Sequence, residues 1–514
     1  MTAIALLLST LFAGLALASP APRADTAVNT TSCNSDTFVY QQLVGYGLTA
    51  SDSRDKFGDT AGGIGSSAVI DPKSWTVDKK GVYSGILWGL PDHYTSTVKN
   101  PSSSSNLQLQ YLDTIRFTDP AGIPLTGLDP DAHGPYLTYP GFPDLPSATY
   151  TGDGFGLDGP GGRRVSMDSE GIVLMDDGSF WISDEYGPYI YHFSPSGQML
   201  SAIRPPPAII PMRNGTDSFS AASPPRYDPD IEVLPESNPT GRANNQGFEG
   251  LTSSPDGKTL YVLTQSALDQ DGGLKSANRR NARFLQYDIS ADPSKAAAPA
   301  LKAEYVVQLP LYSYSNNTKV AAQSEVHYIS STQFLVLARD SGAGHGQDSS
   351  ASLYRHIDVF DISKATNIAG STYDCTTCSI ASNSNSTGVV LNPAIVPATY
   401  CPWLDFNVNS QLDRFGLHNG GAQDAGLLNE KWESIALVPV INPSSAPKCK
   451  DGDGDGYTKT STDGDSDYFL FSLSDNDFIT QNGFMDGGNL AYADESGYDL
   501  DNQVLVFKVK LPTH

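Results

Sequence analysis

Between residues 171 and 203, four short β-rich runs follow one another: 171–175, 179–183, 189–193 and 198–203. Asp176-Asp177-Gly178, Gly187-Pro188 and Ser194-Pro195-Ser196-Gly197 separate them. Apolar β-branched and aromatic side chains in runs of this length, broken by residues that favour turns, specify antiparallel strands with tight connections. The unit returns. A second copy runs through 248–257, 258–265, 282–289 and 303–309, a third through 324–330, 333–338 and 353–362, and a fourth through 432–440, 468–474 and 503–511. A looser early copy spans 65–70, 81–89 and 107–117. One such sheet cannot bury both its faces alone, and stacking the copies radially solves this economically. The fold expected is therefore all-β, a β-propeller of six blades, with strand 38–48 completing the sixth alongside the C-terminal strand.

The first residues carry an apolar stretch from Ala3 to Leu17 followed by Ala16-Leu17-Ala18, the pattern of an export signal over 1–18, although no Lys or Arg precedes it. The stretch is shorter than the roughly 20 residues a membrane span needs. The division expected is a signal at 1–18, an N-terminal segment at 19–36 and a single propeller domain at 37–514, with surface insertions near 205–245, 367–386 and 443–466. Four glycosylation sequons, at Asn29, Asn214, Asn316 and Asn385, fit a secreted, extracellular protein. The five cysteines, Cys33, Cys375, Cys378, Cys401 and Cys449, leave at least one without an intrachain partner in an oxidising compartment. Cys375-Thr376-Thr377-Cys378 reads as a structural loop disulfide, since no second zinc pair accompanies it; the pairing as a whole stays open. A net charge of −25 argues against nucleic acid and anionic membranes as partners, and would repel a phosphate substrate unless cations intervene.

The copies share a carboxylate at the start of their first strand: Asp168-Ser169-Glu170-Gly171, Phe248-Glu249-Gly250, Ser324-Glu325-Val326 and Trp432-Glu433-Ser434. Burying a carboxylate there is costly unless it is paired or metal-bound, so Glu170, Glu249, Glu325 and Glu433 are expected to converge on the axis. The ends of the second strands add Asp184, Glu185, Asp340, Asp475 and Asp477. So many hard oxygen donors suit Ca²⁺ better than Mg²⁺, which demands tighter geometry. Arg339, with Arg163 and Arg164, offers bidentate recognition of a carboxylate or phosphate. The plainer account is that Asp residues at strand ends form turns and that Arg339 pairs internally with Asp340.

Taken in order, Glu170 through Ser183-Asp184-Glu185-Tyr186-Gly187-Pro188, then Asn245-Gln246-Gly247-Phe248-Glu249-Gly250, then Lys431-Trp432-Glu433 and Ser474-Asp475-Asn476-Asp477-Phe478 resemble the phytase-like family, also called the esterase-like activity of phytase domain. The resemblance spans about 60–511. It implies a propeller with an acidic, calcium-associated centre and hydrolysis of phosphate or carboxylic esters. One departure is Ser434, where glycine is usual after the glutamate.

Asp451, Asp453 and Asp455, with Gly456, match the opening of an EF-hand loop and offer a second Ca²⁺ site, although Thr462 stands where the bidentate glutamate belongs. There is no Gly-x-Ser-x-Gly elbow, His-Glu-x-x-His motif, Walker loop or dinucleotide fingerprint, so neither a nucleotide nor an organic cofactor is expected. The histidines are scattered; His345, between glycines in Gly342-Ala343-Gly344-His345-Gly346, is the one with a candidate site role. Three functions fit these residues. The first is a secreted metal-dependent ester hydrolase in which Ca²⁺ activates water and Arg339 or Arg164 steadies the developing charge, with Glu185 and His345 beside them. The second is a non-catalytic, Ca²⁺-stabilised propeller that binds a glycan or a protein. The third is a lactonase-like propeller enzyme.

Overall fold

Strands whose residues alternate between two neighbours build this molecule. The computed structural model of the chain describes residues 27–513 other than 80, 91–95, 99–106, 156, 292–298, 316, 386–387 and 442–465. The expected export signal and the Asp451 loop therefore lie outside the described residues. So do Asn316, Cys449 and the side chain of Asn385.

The described residues form five radial sheets. Blade 1 contains Ser67–Ile70, Leu87–Leu90 and Ser96–Val98. Blade 2 contains Ser169–Leu174, Phe180–Asp184, Ile190–Phe193 and Met199–Ile203. Blade 3 contains Phe248–Ser253, Thr259–Thr264, Asn281–Asp288 and Ala300–Gln308. Blade 4 contains Ala322–Tyr328, Gln333–Arg339, Arg355–Asp361 and Thr399–Asp405. Blade 5 runs outward from Ala436–Pro439 through Ser466–Leu473 and Asn502–Leu511 to Asp36–Thr49 and Asn29–Cys33. All the pairings within these blades are antiparallel.

Because successive side chains of a strand point to opposite faces, each blade feeds two cores. Ile172, Phe180 and Ile182 join Leu90 and Phe117 between blades 1 and 2. Val173 and Trp181, from the same two strands, join Leu251, Leu260 and Val262 between blades 2 and 3. Tyr261, Phe284, Val326 and Phe334 fill the gap between blades 3 and 4, Leu337, Ile357, Leu470 and Phe507 that between 4 and 5, and Ala68, Leu87, Ala436 and Phe471 that between 5 and 1. The ring closes on itself, and residues 68–70, 172–174, 251–253, 325–328 and 435–437 of the five inner strands line one axial channel.

Two expectations change. The strand at 38–48 does lie alongside the C-terminal strand, paired with Asn502–Leu511, but inside blade 5 rather than in a sixth blade, so five radial sheets are found among the described residues. The run at 107–117 is not a strand of blade 1. Its ends serve as core plugs, Leu107 between blades 5 and 1 and Phe117 between 1 and 2, and the Leu107 amide donates to the Tyr46 carbonyl.

The seam between blades 4 and 5 is covalently closed by Cys33–Cys401, across which Asn29 Nδ2 donates to the Trp403 carbonyl (2.5 Å). Cys375 and Cys378 form the expected loop disulfide. It lies in the insertion between the last two strands of blade 4, whose Asp374 carbonyl accepts from Ala208 of the insertion after blade 2 (3.0 Å). Among the described residues no helix is long and apolar enough to cross a membrane.

Candidate active site at the channel mouth

The inner strands of blades 2, 3 and 4 each begin with a one-residue irregularity, between Ser169 and Gly171, Phe248 and Leu251, and Gln323 and Glu325. A β-bulge inserts an unpaired residue and re-aims its side chain. In blade 2 that residue is Glu170, and Glu249 follows Phe248 as Glu170 follows Ser169. The glycines after these glutamates let adjacent strands approach. A Cβ on Gly171 would stand 2.6 Å from the Leu251 Cβ, and one on Gly250 would stand 2.4 Å from the Val326 nitrogen. At the departure noted above, the buried Ser434 hydroxyl accepts from the Leu473 amide (2.9 Å).

Two carboxyl pairs meet at this end of the channel. Glu170 hydrogen-bonds Glu249 across the blade 2–blade 3 boundary, and Asp168 hydrogen-bonds Glu185. Ligand oxygens of Asp168, Glu170 and Glu185 lie within 4.8 Å of one another, and all four residues are buried. Desolvation, reinforced by Asp184 and Glu249, pushes the Asp168 carboxyl up to about 7. Desolvation and then the Glu433 charge push Glu249 up to about 8, and Glu185 is raised well above the carboxylate range by burial and by Glu249 and Asp168. Close carboxylates in such a place cannot all ionise unless a cation joins them. Glu185 Oε1 and Glu249 Oε2 are buried with no hydrogen-bond partner, so the donor set, all hard oxygens with lone pairs to spare, fits a divalent cation.

Across the mouth stand two cations, each held by carboxylates. Arg339, at the end of the second strand of blade 4, is bonded to Glu433 from the start of blade 5. Desolvation opposes the Arg339 charge, but Glu433 and Glu430 outweigh it and raise its pKa. Lys431 holds Asp477 (2.6 Å) and stands 4.0 Å from Glu433. Its charge also reaches Asp168, Glu185 and Glu249.

Glu325 does not belong to the set. The extra residue in blade 4 is Ser324, so Glu325 takes the place opposite Leu337 that Gly171 takes opposite Ser183, one residue out of phase with Glu170. Its carboxyl instead accepts from the Ser67 hydroxyl of blade 1 and from the amides of Val326 (2.8 Å) and Leu251 (3.3 Å), and burial raises its pKa well above the usual range.

Several other candidates occupy structural positions. Asp184 accepts from the amides of Asp168, Tyr186 and Gly187 and from the Tyr191 hydroxyl, and burial still brings it to about 6. Asp340 does not pair with the Arg339 side chain through its carboxylate; it takes the Ser352 hydroxyl (2.7 Å) and the Leu353 amide (2.6 Å). Asp475 accepts from Ser66 (3.0 Å) and from the Asp477 amide (2.6 Å). Arg164 lies in the hairpin of Ser147–Tyr150 and Gly162–Val165 with its guanidinium over the Tyr150 ring, and Arg163 pairs with Asp131 (3.2 Å). His345 sits edge-on to Tyr498, burial lowering its pKa.

Asp168 and Lys431 are the site residues that the glutamate pattern alone misses. Each precedes its blade's glutamate by two positions, Asp168 before Glu170 and Lys431 before Glu433, and the period-two rule would have placed both beside it.

Residues 84–387 match the family described as phytase-like, esterase-like activity of phytase. An uncharacterized secreted protein of Arthroderma benhamiae is 49% identical over 495 residues, covering 90% of this chain and 92% of that one. Among solved structures, an N-acetylgalactosamine deacetylase from F. plautii is similar at 10% identity, a TM-score of 0.31 and coverage of 92% and 95% of the two chains. The calcium-binding protein regucalcin from Agrobacterium tumefaciens is similar at 12% identity, a TM-score of 0.23 and coverage of 70% and 94%. On its match to the family and on its relative, the chain belongs to the phytase-like family.

Proposed function

We propose that this is a secreted hydrolase of phosphate or carboxylic esters that works with Ca²⁺ held by Asp168, Glu170 and Glu249 at the channel mouth. The observation that carries this reading is the close group of Asp168, Glu170 and Glu185 carboxyls, with Glu185 Oε1 and the neighbouring Glu249 Oε2 buried without a hydrogen-bond partner. A bound Ca²⁺ supplies polarisation of the ester oxygen and a more acidic water. Glu185, whose carboxyl is raised well above the carboxylate range by burial and by the Glu249 and Asp168 charges, is the group to protonate the leaving oxygen. Arg339, held by Glu433, steadies negative charge on the ester. Export is supported by the secreted relative and by the two disulfides. Asn214, exposed beside a hairpin turn, is the described sequon best placed for a glycan.

The test is Ca²⁺ uptake by calorimetry combined with release from p-nitrophenyl phosphate and p-nitrophenyl acetate, with and without chelator. Ca²⁺-dependent release from either ester is expected. Folded protein that binds no Ca²⁺ and hydrolyses neither overturns the reading, while binding without turnover would favour the non-catalytic propeller.

A further inference from the structure

The two disulfides differ in what governs their chemistry. Cys33–Cys401 joins residues 368 apart, with Cys33 fully buried and Cys401 packed against the core between blades 4 and 5. Cys375–Cys378 joins residues 3 apart in a turn where Cys375 and Thr377 are exposed, as are Ser371 and Thr372 just before it. A crosslink stabilises chiefly by restraining the unfolded chain, and so short a closed loop restrains little. The turn is also held by bonds that do not involve sulfur. The Cys378 amide donates to the Cys375 carbonyl (2.9 Å), as in a four-residue turn. On one flank the Tyr373 carbonyl accepts from the buried Arg283 (3.1 Å) and the Asp374 carbonyl from the Ala208 amide (3.0 Å). On the other, the Ser379 hydroxyl and the Ile380 amide donate to the buried Asp271 carboxylate (3.0 and 2.9 Å). Tyr373 and Ile380 also pack into a small core with Val306, Ile368 and Ile395. With both flanks pinned, opening the sulfur bond leaves the two sulfurs side by side and ready to reclose. The opened state has partners in place: the Ser371 carbonyl, 3.8 Å from Cys378 Sγ, can accept from a thiol, and the Thr377 hydroxyl, 4.0 Å from Cys375 Sγ, can donate to a thiolate.

We propose that Cys375–Cys378 is a reversible thiol–disulfide exchange site for low-molecular-weight thiols, while Cys33–Cys401 is a permanent tie. Exposed disulfides are the exchangeable ones, and the exposed Cys375 sulfur is the one attacked. A small thiolate bonds to Cys375 Sγ, the Cys375–Cys378 bond breaks, and its electron pair leaves with Cys378 Sγ, which takes up the proton given off by the thiol. A second thiolate then attacks the small-thiol sulfur of this mixed disulfide and releases Cys375. Two small thiols are oxidised to one disulfide, and the protein cystine is reduced to two thiols. The site stands apart from the carboxyls of the channel mouth and does not depend on the hydrolase reading.

The probe is reduced glutathione, added to the native full chain after free thiols have been blocked; newly opened cysteines are alkylated and located by peptide mass, with ellipticity followed in parallel. Cys375 and Cys378 are expected to be labelled about a hundredfold or more faster than Cys33 and Cys401, with no loss of ellipticity. With oxidised glutathione, Cys378→Ser should form a mixed disulfide at Cys375 at least about tenfold faster than Cys375→Ser forms one at the less exposed Cys378. The double variant Cys375→Ala/Cys378→Ala should fold, with Tm within about 2 °C of wild type. A purely structural bond predicts the opposite pattern. Labelling no faster than at Cys33 and Cys401, opening that keeps pace with loss of ellipticity, faster modification at Cys378 than at Cys375, or a double variant that fails to fold each overturns the proposal.

Discussion

Glu325 and Glu249 stand in adjacent blades, on inner strands of the same channel, and both are buried, yet they live in opposite surroundings. Glu325 is met by donors: a serine hydroxyl from across the ring and two backbone amides. Glu249 accepts from Gln265, is hydrogen-bonded to Glu170 and feels the charges of Glu433, Arg339 and Lys431, with one oxygen left bare. The difference originates in which residue is bulged, Ser324 in blade 4 and a glutamate in blade 2. A one-residue offset thus turns a prospective ligand into a bolt between blades 1, 3 and 4.

The sharpest way to break this contrast is to neutralise each glutamate in turn. Glu249→Gln should abolish Ca²⁺ uptake and cut Ca²⁺-dependent hydrolysis by about a hundredfold or more, whereas Glu325→Gln should leave both in place. Equal losses in the two variants, measured by calorimetry and ester release, would erase the distinction.

A pH series separates the two further. The folded-state pKa values of Asp168 (about 7) and Glu249 (about 8) lie above those of the unfolded chain. The stability these two groups contribute is therefore fully present below about pH 4 and is lost as pH rises towards about 8, because the unfolded chain releases these protons first. In chelator, Tm should decline over this window by several degrees. Saturating Ca²⁺ should remove the share that belongs to the mouth, and Glu325→Gln the share that remains with Ca²⁺ present, since Glu325 is raised by burial as well. A Tm that rises with pH in chelator would contradict the assignment.

The smallest effect is expected at Ser67. Ser67→Ala removes the donor to Glu325 and should cost about 1–2 kcal/mol in denaturant unfolding without altering Ca²⁺ affinity. A shift in Ca²⁺ affinity would show that the bolt and the cation site are mechanically coupled.

Much of this architecture was legible in local pattern. Blades 2, 3 and 4 are written as consecutive runs between turn residues, and the Cys375–Cys378 loop is defined by its spacing. Blade 5 was harder to read: 38–48 is expected beside the C-terminal strand, but that both join the sheet of Ala436–Pro439 and Ser466–Leu473 leaves no local signature at such separation. The run at 107–117 has strand-like composition, yet its Leu107 and Phe117 are used as plugs between blades. At the site, the recurrence of Glu170, Glu249 and Glu433 was visible, while the phase of Glu325 depends on a bulge that composition does not announce. Arg339 was singled out as a candidate cation, and its carboxylate partner is Glu433 of the next blade rather than the adjacent Asp340.

Blade 5 also governs when the molecule can become itself. Its outer strands are synthesised first and its inner three last, so the ring stays an open arc until Asn502–Leu511 arrives to receive Asp36–Thr49. Lys431 and Glu433 lead into that final blade, and the mouth gains the Glu433 partner of Arg339 only as the arc shuts. The chain that precedes Lys431 therefore holds only part of the mouth, and Cys33–Cys401 ties the outermost strand of blade 5 to blade 4.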